Sequence, residues 1–300
     1  MSVVEADKQY RSLTVRARGG ERSFLAVCFV IALWLTIFIA VMALLVLIVQ
    51  TWANGAPRLD GRLFTEYPSS SPERAGARPA ILGSIWVIGT TAVLAIPLGI
   101  AAAVQLEEFA DKHHPFNRLV ELNVQNLAAI PSVVYGLLAL SLLTVLAVEN
   151  KNIVVAGATA LSLLILPVII IATRESLRSV PTEIRQGSLA LGATPLQTLW
   201  RQTLPSAVPG IATGSILALS RALGEAAPLL LLGGLVFVSF DPNGLLSGYT
   251  TMPIQIFNWT GRPQEEFRVL ASAASIVLLG LLIIMNALAI YIRNHFQRRW

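Results

Sequence analysis

Charge is what this chain has least of. Only 13% of its 300 residues are Asp, Glu, Lys or Arg, against about 25% in soluble domains. With 55% of the residues hydrophobic, a water-soluble core of this size could not hide the apolar surface. The composition therefore excludes an aqueous globular protein and indicates an integral membrane protein with several spans. Cysteine is nearly missing too. Cys28 stands alone, which excludes an intrachain disulfide and a cysteine-rich metal site. His113 and His114 are adjacent, so on a helix they point apart and make a poor metal pair. No G-x-x-x-x-G-K-[ST] stretch occurs, so the chain has no P-loop to cradle ATP. No hydrolytic triad or redox site is visible, and the chain itself is expected to bind no cofactor. No cleavable leader is expected either: the first apolar run is too long and lacks a small-residue cleavage site. The net charge of +5 is small, and its basic residues sit mostly in tails and loops. That is the distribution of orientation signals, not of a nucleic-acid footprint.

What is present is a series of long apolar runs. A spanning helix needs about 20 such residues. Six runs qualify: 24–49, 80–106, 122–148, 153–172, 208–238 and 269–292. The predicted fold is all-α with six transmembrane helices. The fifth run is longer than one span requires and contains Gly214, Gly224, Pro228, Gly233 and Gly234, so a kink, a break or even two spans are expected there. The basic residues favour an even number. Residues 1–23 carry Lys8, Arg11, Arg16, Arg18 and Arg22, and residues 293–300 carry Arg293, Arg298 and Arg299. Both tails are therefore expected in the cytoplasm. On that orientation 14 of the 22 basic residues face inward, seven face outward, and Arg221 is left in the membrane.

Two features stand apart from the spans. The first is the inner loop 173–204. It is moderately amphipathic, with Leu189, Leu191, Leu196, Leu199 and Trp200 as apolar contacts. Gly192 is expected to split it into two short helices, and Pro205 and Pro209 to mark re-entry into the membrane. Such a helix can insert into a groove on a partner or lie on lipid headgroups. The second feature is the pair Arg221 and Glu225 inside an apolar stretch. A charge at the bilayer centre costs about 2.5–3.5 kcal/mol on insertion scales. Four residues apart, the two share a helix face and can pair. Either they form a buried ion pair that pins the fifth span, or they form a polar station on an anion path. In the second case the guanidinium would match an oxyanion in shape and charge, and the carboxylate would keep it from trapping the anion. Glu107 and Glu108, at an inner membrane edge, are read as solvated or as meeting a partner.

The inner loop resembles the cytoplasmic coupling loop of ABC importer permeases of the type I fold. Their pattern is E-A-A, three residues, Gly, nine residues, then I-x-L-P. Here Gln186, Gly187 and Ser188 stand at the E-A-A positions, followed by Leu189, Ala190, Leu191, Gly192 and Ala193, and the second half falls on Gln202, Thr203, Leu204 and Pro205. The spacing matches; Gln186 replaces the acid and Gln202 the isoleucine. The literal E-A-A at Glu225–Ala227 is not this motif, because Leu231 stands where the glycine should be. Four further stretches narrow the resemblance: "NLAAIPSVVYGL", "SRALGEAAPLL", "MPIQIFNW" with "RPQEEF", and "MNALAIYIRN". Together they resemble the PstA family, inner-membrane permease subunits of phosphate-specific ABC importers, over 80–300.

The resemblance implies a heterodimer with a PstC-like permease. It also implies two PstB-like ATPase subunits holding ATP and Mg, and a PstS-like external phosphate-binding protein. Residues 80–292 would form the permease domain, with 173–204 as its coupling loop and Gln186–Ala193 meeting the ATPase. Arg221 and Glu225 would lie on the phosphate path. Asn126, which begins the matched "NLAAIPSVVYGL", is read either as an interhelical hydrogen-bonding residue or as lining the path, and Ser132 within it either as lining the path or as shaping the helix. Pro131 and Gly136 would shape the helix. Two other readings stay open: a permease for another oxyanion such as molybdate or sulfate, and an ion-driven transporter or channel with no ATPase.

Overall fold

The computed structural model describes residues 24–111, 114–234 and 237–296. The tail 1–23, His113, and the terminal Arg298 and Arg299 lie outside the described residues. The chain divides into two compact units, 1–50 and 51–300. The first helix, α1 (Phe24–Gly55), has 32 residues and no acidic residue in its first turn. At about 1.5 Å per residue it is long enough to cross a bilayer core of about 30 Å with length to spare.

The larger unit is a helical bundle; among the described residues there is no strand, only one isolated bridge between Ile153 and Gly248. Short α2 (Gly61–Thr65) is capped by Asp60, whose carboxylate accepts from the Leu63 N–H. Then come α3 (Arg78–Val104), α4 (Pro115–Leu127), α5 (Ser132–Val145) and α6 (Val154–Arg178). The segment 173–204 gives α7 (Thr182–Ala190) and α8 (Pro195–Thr198), and the chain returns through α9 (Leu204–Leu223) and α10 (Ala227–Leu231). Finally α11 (Met252–Thr260) and α12 (Glu265–Phe296) close the unit. Five helices are long and apolar enough to span, and a sixth crossing is available only if the bent pair α4–α5 counts as one.

That pair corrects the third predicted run. Hydropathy reads 122–148 as one helix, but α4 and α5 meet at 115°. The cause is Pro131, which has no N–H to donate and disfavours helix at Ile130. Pro131 takes an extended ψ of 139° and starts α5. At 14 residues, α5 is only about 21 Å long and cannot cross alone. The fifth run is corrected as well. Its helix starts far earlier than 208: Thr194 and Gln197 form a reciprocal capping box over Pro195, and one 29-residue helix runs from there to Leu223. Pro205 falls in the first turn of α9 and Pro209 inside it; neither marks an entry point. The helix then stops at Gly224, so the expected break is present and the second crossing is not.

Helix α6 is the hub. Ala156, Gly157, Ala158 and Ala160 are buried along it, and small residues are what lets membrane helices approach closely. The contact with α9 is closest at Gly210 and Gly214, one turn apart, where a Cβ would run into Ser176 and Ala172 of α6. The N-terminal end of α6 is covered by the loop before α11: Val154 and Val155 donate their N–H groups to the carbonyls of Ser247 and Leu245. Those are donors that a helix start leaves unpaired. Tyr249 of the same loop is fully buried against Gly157, and burial pushes its phenol pKa up.

Candidate substrate path and coupling surface

The depth of Arg221 follows from the register of α9 against α12. Arg293 donates to the Thr213 hydroxyl, and Ser220 bonds Asn286, at 3.2 and 2.5 Å. Seven residues separate the contacts on each helix, as antiparallel neighbours require. Arg293 is the first basic residue of the C-terminal end, so Thr213 lies at a membrane edge. Arg221 stands eight residues further, about 12 Å deeper at 1.5 Å per residue. That is inside the apolar layer.

There α9 ends. Gly224 and Glu225 donate their N–H groups to Arg221 and Ala222 carbonyls, and α10 starts afresh two residues later with Pro228 in its first turn. The break of α4–α5 lies next to this one, because Gly136 of α5 packs directly on the Pro228 backbone. Tyr135, in the first turn of α5, is buried and donates its hydroxyl to the Leu127 carbonyl across the break. It also lies within electrostatic range of Arg221. Two interrupted helices thus bring the first turn of α5 and the last turn of α9 together.

Arg221 meets Glu225 at 3.8 Å, at the limit for an ion pair, and its side chain is 45% exposed. Among the described residues it makes no hydrogen bond. Glu225 is half-buried and lies past the helix end, so the pair does not share a regular helix face as the spacing suggests. Asn126 is exposed near the end of α4, and Ser132 is half-buried at the start of α5. Both flank the α4–α5 break; the structure brings the break to the arginine's neighbourhood but sets neither side chain in contact with Arg221. An apolar groove of about 410 Å³ lies between α3, α9 and α12, lined by residues such as Ile96, Ile100, Ile211 and Leu219. It has no charged side chain and offers nothing to an anion.

The segment expected to couple to an ATPase is arranged as two short helices around one turn. Gly192 has φ +85°, the left-handed region that glycine enters without a Cβ penalty. Gln186, Gly187, Ser188, Leu189 and Ala190 lie in the second half of α7, and Leu191, Gly192 and Ala193 form the turn. Ser188 shares a hydrogen bond with Thr198 of α8, which ties the two helices together. Gln186, Gly187, Leu189, Ala190, Leu191 and Gly192 are exposed, Leu191 to 91%. With Leu196 and Trp200 also exposed, the elbow presents an apolar knob bordered by polar groups, the composition of a protein-contact surface.

The sequence reading missed a cluster of charges behind this elbow. Glu107 and Glu108 are not solvated. They lie on a π-turn, Gln105–Phe109, that extends α3. Glu107 receives Arg174 and Arg178 of α6 at 3.2 and 3.0 Å, and Glu121 of α4 receives Arg174 at 2.8 Å. Glu108 receives Arg185 of α7 at 2.7 Å. Among the described residues no group of His, Cys, Asp and Glu could hold a metal ion.

Comparison with known proteins agrees with this architecture. Residues 95–300 match the family described as binding-protein-dependent transport system inner membrane component. The phosphate transport system permease protein PstA 1 of Mycobacterium tuberculosis (strain ATCC 25618 / H37Rv) is 34% identical over 224 residues, covering 75% of this chain and 71% of the relative. The PstA protein of Haemophilus influenzae is 29% identical over 247 residues, covering 82% and 84%. The probable ABC transporter permease protein YqgI of Bacillus subtilis (strain 168) is 32% identical over 221 residues, covering 72% and 71%. Among solved structures, a bacterial ABC transporter involved in alginate import superposes with a TM-score of 0.61 at 12% identity, over 97% of this chain and all of that one. The inward-facing methionine transporter MetNI gives 0.57 at 19% identity, over 77% of this chain and all of that one. These two share the fold. The chain belongs to the family of binding-protein-dependent transport system inner membrane components, the permease subunits of ABC transporters.

Proposed function

We propose that this chain is a permease subunit of an ATP-driven importer of inorganic phosphate. The observation that carries the reading is Arg221: a guanidinium inside the membrane, half-exposed and loosely held, in a chain about a third identical to named phosphate transport permeases. Guanidinium matches phosphate in geometry as well as charge. The first turn of α5 opens beside it, and a half-helix N-terminus favours an anion through its unpaired N–H groups and dipole. Glu225 competes for the same guanidinium, so phosphate would be bound weakly enough to leave. Asn126 and Ser132 would line the approach at the α4–α5 break.

A second permease, PstC-like, would face the open side of Arg221 and complete the path. A PstS-like protein would deliver phosphate from outside. PstB-like subunits would bind ATP with Mg and hydrolyse it, and this chain would do no chemistry. The exposed elbow from Gln186 to Ala193 would seat in a groove on the ATPase, with both termini in the cytoplasm. Closing of the ATPase pair would then rock the helices between outward and inward openings.

The test is phosphate uptake in cells making the whole importer, with Arg221→Gln, Glu225→Gln and the double change compared at equal membrane abundance. Loss of uptake with normal assembly supports the assignment. Normal uptake in all three makes the pair structural. Uptake of molybdate or sulfate in place of phosphate would move the substrate and keep the machine.

A further inference from the structure

The charges behind the elbow form one connected path between the coupling helix and the broken span. Arg185 of α7 donates to Glu108 and, at 2.6 Å, to the Leu177 carbonyl in the last turn of α6. That carbonyl, without an i+4 partner at the helix end, also accepts from the Val180 N–H. The next residue back, Glu107, turns inward, is 3% exposed, and binds Arg174 and Arg178. Arg174 continues to Glu121 on α4. Two adjacent carboxylates on a single π-turn thus grip different partners: Glu108 the coupling helix, Glu107 the end of α6 and through it α4. Helix α4 leads straight into the break beside Tyr135 and Arg221.

We infer that the Glu107–Glu108 turn is the junction through which displacement of α7 reaches the α4–α5 break. Arg185 and Glu108 are positioning residues for transport, acting at a distance from the anion. Geometry supports a mechanical role over a passive one. A helix docked only by apolar contacts can slide. Arg185 fixes α7 at two points with a planar, two-sided fork, and such bidentate contacts define orientation. On the far side, Arg174 and Arg178 both reach Glu107 and Glu121, so α3, α4 and α6 move there as one body. A π-turn next to the junction supplies a local irregularity of the kind found at functional sites. A second π-turn, Leu199–Thr203, lies in the helix leading from the elbow to α9. Both routes from the elbow into the membrane therefore pass through a non-α turn.

This inference rests on the importer reading above, and its test separates the two. The complete importer, with its ATPase and binding protein, is reconstituted in lipid vesicles, and phosphate accumulated per ATP hydrolysed is measured. Glu108→Arg and Arg185→Glu are each expected to lower that ratio by at least about fivefold, the low end for coupling between sites. The double swap restores opposite charge and is expected to recover it. A merely structural contact would alter abundance or heat stability and leave the ratio in place. Single reversals at the wild-type ratio, or a double swap no better than the singles, overturn the inference. If reversal prevents assembly, Glu108→Gln decides: a reduced ratio supports the junction, and a wild-type ratio overturns it. Wild-type vesicles that hydrolyse ATP and move no phosphate overturn the importer reading, and the junction with it.

Discussion

Two groups of charge meet the apolar layer of this molecule, and they are built on opposite principles. Behind the elbow, Glu107, Glu121, Arg174 and Arg178 bond one another across three helices, with Arg174 7% exposed and Glu107 less. Deeper in the layer, about 12 Å beyond Thr213 by helix rise, Arg221 and Glu225 touch once at 3.8 Å with the arginine half-open. Burying a charge is tolerated only with full pairing, and the quartet has it. The deeper pair leaves most of its five guanidinium donors unused by the described residues. A clamp must satisfy its own members; a transit site must keep capacity for a visitor. On the reading proposed above, the difference in bonding is a difference in task, and each prediction below presses on it.

The largest effect is expected at the quartet. Arg174→Gln leaves Glu107 and Glu121 short of a partner in a nearly dry setting, and breaking a buried pair from one side costs about 3–5 kcal/mol. Thermal or denaturant unfolding of the purified complex in lipid discs should register it; a loss below about 1 kcal/mol would mean that the quartet is not the clamp described. Next comes the helix contact that holds the two charge groups in register. Gly214→Leu must force α9 away from Ala172 of α6, and overpacking of this kind costs typically about 1–3 kcal/mol. If the same substitution at Gly187, which meets nothing within 4 Å, destabilises as much, close approach is not what the glycine at 214 provides.

How far these regions were legible in the sequence differs in the same way. The long helices follow from bilayer thickness, which demands apolar runs of fixed length whatever the packing. The Gly192 turn was legible because only a residue without Cβ enters φ +85° easily. The α4–α5 break was hidden: Ala128, Ala129 and Ile130 keep the hydropathy high straight through it, and Pro131 was the one local sign. The true start of the fifth crossing was written in Thr194, Pro195 and Gln197, a capping signature outweighed in the reading by two later prolines. The quartet was invisible. Its members come from three places in the chain, 107, 121 and 174 with 178, each at the end of an apolar run where a charge is ordinary. Helical spacing links only Arg174 with Arg178; the tertiary packing of α3, α4 and α6 brings the two carboxylates to them. Arg221 and Glu225, by contrast, announce themselves, because charge within an apolar run has no local excuse.

A graded test lies inside the quartet. Arg178 bonds the same two carboxylates as Arg174, but its side chain is 42% exposed. Water screens it, and Arg174 still pairs both carboxylates once it is gone, so Arg178→Gln should cost about 0–1 kcal/mol, the range of exposed pairs. The two arginines thus separate burial from pairing. Equal losses at 174 and 178 would show that the number of bonds decides stability there, not dehydration.

The smallest effect on stability is expected at the site of largest consequence. Arg221→Gln removes one long contact at a half-open position. The folded state should lose less than about 1 kcal/mol, and unfolding of the complex should be nearly unchanged. Phosphate uptake at equal abundance should fall at least about tenfold, which corresponds to the loss of a charge-assisted contact of roughly 1.4 kcal/mol in the transported state. Arg221→Lys sharpens the point. It keeps the charge and discards the planar fork, so it should retain folding fully and recover only part of the uptake. Should Arg221→Gln instead unfold the complex as Arg174→Gln does, the deep pair would be a second clamp, and the contrast between the two charge groups would collapse into a difference of degree.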